Sequence, residues 1–178
     1  MPRLLLAAAA AVLLVTMTGC GDPVVPPSPS PTPTATPVFA SEEEALAAAV
    51  AAYGRYLEVS DAIATDGGHD VGRLEGLVTL QQYQQAAADF DELASSGRHM
   101  NGRSSFDSVA IQQFRDTNVS VYLCLDVSAV RVLDGAGIDV TPSDRESRIP
   151  LDISFAVADG SLLLDTSDVW EGNGLCAN

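Results

Sequence analysis

The side chains able to do chemistry in this chain are few. It holds three cysteines, two histidines and no lysine among 178 residues, with nine arginines and 24 acids. Without lysine there is no Schiff-base chemistry, no Ser-Lys dyad and no GxxxxGK phosphate loop. Neither GxSxG nor HExxH occurs. His69 stands in Asp66-Gly67-Gly68-His69-Asp70, but zinc takes three or four ligands and no third is evident, so no metal is expected. His99, beside Gly97 and Arg98, is expected on the surface at a helix-to-strand turn. Asp134 to Asp139 lacks the alternating acids and terminal Glu of a calcium loop and reads as a plain loop. Asp126, Asp152 and Asp165 fall in strands, where alternation allows either face. No catalytic residue, cofactor site or metal site can be assigned.

The cysteines carry more. Cys20 ends Thr16-Met17-Thr18-Gly19-Cys20 after a twelve-residue apolar run, Leu4 to Val15. That run is short of the roughly 20 apolar residues a membrane-spanning helix needs. Preceded by Met1-Pro2-Arg3 and followed by small residues, it has the form of a secretory leader. The segment resembles the bacterial lipobox, with Met17 where Leu is usual. The resemblance implies a leader over 1–19 and a Cys20 carrying two or three acyl chains, enough to anchor the chain stably at roughly 0.8 kcal/mol per buried CH₂. Lipidation would also account for an odd cysteine count. Cys124 and Cys176 are then expected to pair, tying the chain's end to a central strand. The alternative is two reduced, buried small side chains.

Residues 20–38 form a linker. Gly21 to Val38 contains seven of the ten prolines, interleaved with Ser and Thr. Such a chain is extended and spans on the order of 55 Å. It reads as a spacer, either bare or glycosylated like a Pro/Thr stalk. With Arg3 lost in the leader, eight arginines face 24 acids, a formal charge of −16. That charge excludes nucleic acid as a partner and repels anionic headgroups.

Residues 39–178 are long enough for a core of their own. Ser41 and Glu44 form a capping box, with Glu42 to Glu44 at the positive end of the helix dipole. Leu46, Val50, Tyr53 and Leu57 follow on one helical face, and the helix fades near Thr65. A short helix follows Asp70 as N-cap. Thr79 and Gln82 suggest a second box, opening a helix from Leu80 to about Ser95, with Leu80, Tyr83, Ala87, Phe90 and Leu93 inward. Past Gly97 the period becomes two: strands over Phe106–Arg115, Val119–Asp126 (continuing with a kink through Val130 and Val132), Ile149–Val157 and Ser161–Trp170, the last two joined by the hairpin turn Asp159-Gly160.

Helices first and antiparallel strands afterwards give an α+β domain of about four strands. With Tyr53-Gly54-Arg55-Tyr56-Leu57, Phe90-Asp91-Glu92-Leu93 and the long strands, the order resembles the NTF2-like (SnoaL-like, cystatin-like) superfamily. The resemblance implies a curved sheet wrapped around the first helix and a pocket between them. Tyr53, Tyr56 and Trp170 are candidates to line it, against the commoner reading of the tyrosines as core and of Trp170 as a packing anchor at a strand's end. The function implied is that of an extracytoplasmic, membrane-anchored lipoprotein. Its domain would bind an envelope protein or a ligand without catalysis. The alternatives are an NTF2-like isomerase, cyclase or hydrolase on a small apolar molecule, and an accessory protein of cell-wall upkeep.

Overall fold

The computed structural model describes residues 38–172 and 174–177. The expected leader, Cys20 and the linker up to residue 37 lie outside the described residues. Helix α1 spans Glu42–Thr65. Ser41 Oγ accepts from the Glu44 N–H at 3.2 Å, and Glu44 Oε2 accepts from the Ala40 N–H at 2.8 Å, so the box closes one residue early. A 3₁₀ turn, Val71–Leu74, precedes α2, Leu80–Ser95. Asp70 caps that turn without a side-chain hydrogen bond. The strands are β1 (His99–Asn101), β2 (Ser105–Phe114), β3 (Asn118–Asp126), β4 (Arg131–Leu133), β5 (Arg148–Ala158) and β6 (Ser161–Val169).

The main sheet is antiparallel, in the order β2-β3-β5-β6. Its register is interrupted in β2 near Ser108 and between Ser154 and Phe155, and such bulges bend strands. The β5–β6 turn has positive φ at Asp159 and Gly160, as a type I′ hairpin requires. One face carries Val119, Val121, Leu123, Leu151, Ile153, Phe155, Leu162 and Leu164, all buried against α1 and Leu74. No helix among the described residues is long and apolar enough to cross a membrane.

Three expectations are corrected. The buried face of α1 is Ala45, Ala49, Ala52, Tyr53 and Leu57, whereas Val50 is 37% exposed. The alanine stripe lets the helix backbone come close to the sheet, so it takes the inward position, with Leu46 half-buried at the margin of the core and Val50 outside it. Leu80 is 73% exposed at the first position of α2, whose one buried residue is Ala86. Finally, β3 does not continue through Val132. The chain turns at Val127–Val130 (Val130 N–H to Val127 C=O, 3.0 Å), and β4 pairs with β1 in a separate two-stranded sheet. His99 therefore sits half-buried in a strand, opposite Leu133.

Candidate functional site

Helix α2 is fixed at both ends and stands off the sheet between them. At its start the Thr79 N–H donates to the Leu164 carbonyl (2.8 Å), and the Leu164 N–H donates to the Leu77 carbonyl (2.9 Å). Thr79 Oγ1 accepts from the Gln82 N–H and donates to Asp165 Oδ1 at 2.8 Å. Asp165 is the extra residue of the β6 bulge, lying between Leu164 and Thr166 in the register. Near its other end, α2 meets Gly68, which lies against the backbone of Phe90 and Ala94.

Between these fixed points lies a cleft of about 720 Å³. One wall is α2, presenting Gln81, Gln82, Gln84, Gln85 and Asp89. The other is the end of β6, with Thr166, Ser167 and Asp168, and Tyr56 of α1 lines the interior. Ser167 pairs with Ile153 and so stands on the inner face of the sheet, where Leu162 and Leu164 hold the apolar positions earlier in the strand. Gln85 Nε2 donates to Asp89 Oδ1 at 3.0 Å. Burial raises the Tyr56 phenol above its ordinary pKa, and hydrogen bonds with Ser60 and Gln82 oppose that shift. Tyr56 is a neutral hydroxyl at physiological pH.

The three aromatic residues considered as pocket lining are dispersed. Tyr53 is 2% exposed and packs edge-on against Phe106, ring centres 5.0 Å apart. Burial drives its phenol strongly upward in pKa. Only Tyr56 reaches the cleft. Trp170 lies on the opposite face of the sheet, 4.6 Å from the Tyr122 ring, with Gly172 pressed against its own ring. It anchors the C-terminal segment, since the Trp170 N–H also donates to the Pro150 carbonyl (2.8 Å). Cys124 and Cys176 are joined by a disulfide on this same face, with Cα atoms 5.3 Å apart.

The carboxylates of Asp107, Asp126 and Asp152 serve structure. Asp152 accepts from Gln112 Nε2 at 3.2 Å, and the same amide donates to the Tyr122 hydroxyl. Arg148 binds Asp107 through Nη2 (2.8 Å) and Asp126 through Nη1 (3.0 Å), and its Nε donates to the Cys176 carbonyl (3.4 Å). Hydrogen bonds from Ser108 to Asp107 and from Ser128 to Asp126, with Arg148 adding to both, hold these carboxyls below the ordinary carboxylate range. Their contribution is thus present above the unfolded value near pH ~4 and is lost as pH falls through the folded values. Urea midpoints should therefore drop between about pH 5 and about pH 2, and Arg148→Met should make that drop smaller. An equal drop in the variant refutes the assignment.

An NTF2-like acid–base would be a carboxylate enclosed beside a tyrosine. Among the described residues the one buried polar side chain is Ser120. The space between α1 and the sheet is filled by Tyr53, Leu123, Ile153 and Phe155. His69 and His99 line one shallow groove with Asp66 and Arg98, but Asp66 is taken by Arg73 at 2.9 Å. No group of three metal-ligating side chains occurs among the described residues. The cleft's glutamines were not among the expected site residues. The visible signal was Gln81-Gln82-Tyr83-Gln84-Gln85, four amides in one and a half helical turns.

No protein-family model and no curated protein matches the chain. Among solved structures, the intermembrane-space region of the chloroplast protein ARC6 is similar over 70% of this chain and 95% of its own, at 10% identity and a TM-score of 0.52. Aln2 from a Streptomyces species aligns over 72% of this chain and 90% of its own, at 16% identity and a TM-score of 0.49. At such identities the ARC6 likeness concerns fold alone. The chain has an α+β fold of the NTF2-like type, helices packed on a curved antiparallel sheet.

Proposed function

We propose that this protein is an extracytoplasmic lipoprotein, anchored to the cell membrane through acylated Cys20. In this reading, residues 21–38 hold a non-catalytic binding domain off the lipid surface. The observation that carries it is the apolar run closing on Met17-Thr18-Gly19-Cys20, with small residues at the cut and a cysteine placed for thioether linkage. The disulfide supports it, because Cys124 and Cys176 are spoken for and such bridges persist in oxidising compartments. The formal charge of −16 also suits a domain that the spacer keeps from anionic lipid. The binding face is the α2–β6 cleft, the largest of the hollows described, walled by separate elements and lined by amide and hydroxyl side chains.

The test is fractionation of cells expressing the full-length chain. The protein should be found with membranes, and Cys20→Ala should move it to the medium. Retention of the Cys20→Ala protein on the membrane would reject the anchor.

A further inference from the structure

The cleft's chemistry narrows what it can hold. Its α2 wall is dominated by primary amides, each able to donate and to accept. Ser167, on the inner face of the sheet, meets them with a hydroxyl that does the same. None of the described lining residues is basic, and Asp89 and Asp168 stand at the walls, so an anion would meet only like charge on an acidic protein. An apolar molecule would strip water from the amides and hydroxyls and offer no hydrogen bonds in return, at a cost of about 1–3 kcal/mol for each group left unpaired. A ligand that matches must be uncharged and must carry many groups that both donate and accept. The volume of about 720 Å³ is within the usual range of small-molecule sites.

We propose that the α2–β6 cleft binds an uncharged, polyhydroxylated ligand, a short saccharide chain. Hydroxyls along one edge of the sugar exchange hydrogen bonds with the Gln81 and Gln85 amides, and those along the other edge with Ser167. The ring's apolar face meets Tyr56. Neutrality of Tyr56 suits this role, because its phenol stays a donor as well as an acceptor. This class departs from the small apolar ligand implied by the fold resemblance, because the filled interior moves the usable hollow from beneath α1 to the polar flank of α2. The proposal rests on the reading of the domain as a binding module.

The test titrates the full-length protein, uniformly labelled with ¹⁵N, against chitotriose, an uncharged chain of three N-acetylglucosamine units. Saturable shifts are expected in the side-chain amide signals of α2. Gln85→Ala and Ser167→Ala, one from each wall, should each weaken binding about tenfold, as loss of one well-made hydrogen bond predicts. Unchanged spectra of β3 and β5 in both variants exclude misfolding. A parallel titration uses a neutral fatty alcohol. Movement of cleft signals with the alcohol alone overturns the saccharide class and keeps the binding module. Silence with both probes overturns both readings. Saccharide binding that neither substitution weakens places the site elsewhere and overturns this assignment.

Discussion

Replacing Cys124 and Cys176 together by alanine should lower the unfolding free energy by about 4 kcal/mol, the largest loss expected from any pair of substitutions away from the sheet's inner face. The bridge closes 52 residues, and in the chain-entropy picture a loop of that length restricts the unfolded ensemble by roughly that amount. The sulfur of Cys124 is fully enclosed, which makes alanine the apt replacement, since serine would add a buried hydroxyl without a partner. Beyond the loop, the bridge fixes the segment that follows β6. Without it that segment is held by Trp170 against Tyr122, by the Trp170–Pro150 hydrogen bond and by the long contact of Arg148 with the Cys176 carbonyl. Urea unfolding of the wild type with and without reductant, beside the double variant, measures the loss. Reduced wild type and the variant should agree within about 1 kcal/mol, because both lack the same constraint. A variant within about 1 kcal/mol of the oxidised protein would show that these side-chain contacts alone hold the end of the chain.

The parts of the fold that were legible are those encoded by local chemistry. Ser41 with Glu44 and Thr79 with Gln82 each put a side-chain acceptor where a helix start leaves N–H groups unpaired, and both helices begin there. Alternation through Val119–Leu125 and Ile149–Val157 marks strands because a half-buried sheet has a period of two, and Asp159-Gly160 supplies the positive φ its hairpin needs. Helix phase was less legible. Leu46–Val50 and Ala45–Ala49 are adjacent stripes, and hydrophobicity favours the first, while closeness to the sheet selects the second. The β1–β4 pair was hidden because three-residue strands so far apart in the chain carry no periodicity. The cleft escaped for a related reason. Gln81 to Gln85 reads as a solvated helix face until β6 is placed opposite, and that placement depends on the distant pair Thr79 and Leu164. Tyr53 and Tyr56 illustrate the same limit: close neighbours on α1, one enters the core and the other the cleft.

Gly68→Ala should cost about 3 kcal/mol, and Gly76→Ala about 1 kcal/mol, and the difference isolates the contact that positions α2. Both glycines have left-handed backbone, with φ of +85° and +77°. A side chain at either site pays for that conformation, by about 1 kcal/mol. Around Gly76 there is open space, so nothing further is added. At Gly68 a Cβ would overlap the Phe90 carbonyl oxygen and crowd the Ala94 nitrogen at 3.2 Å. Both obstacles are helix backbone, which cannot rotate away as a side chain would, so the end of α2 must move off α1 or the turn after Thr65 must deform. Overpacking of this kind adds about 1–3 kcal/mol. Equilibrium unfolding of the two variants at equal m-value measures the difference. Equal losses would mean that the Gly68 turn yields without moving α2. If α2 does move, the cleft widens at its Asp89 end while Gln81, next to the Thr79 tether, stays in place. Gly68→Ala should then weaken chitotriose binding without removing any cleft side chain, whereas Gly76→Ala leaves the affinity unchanged.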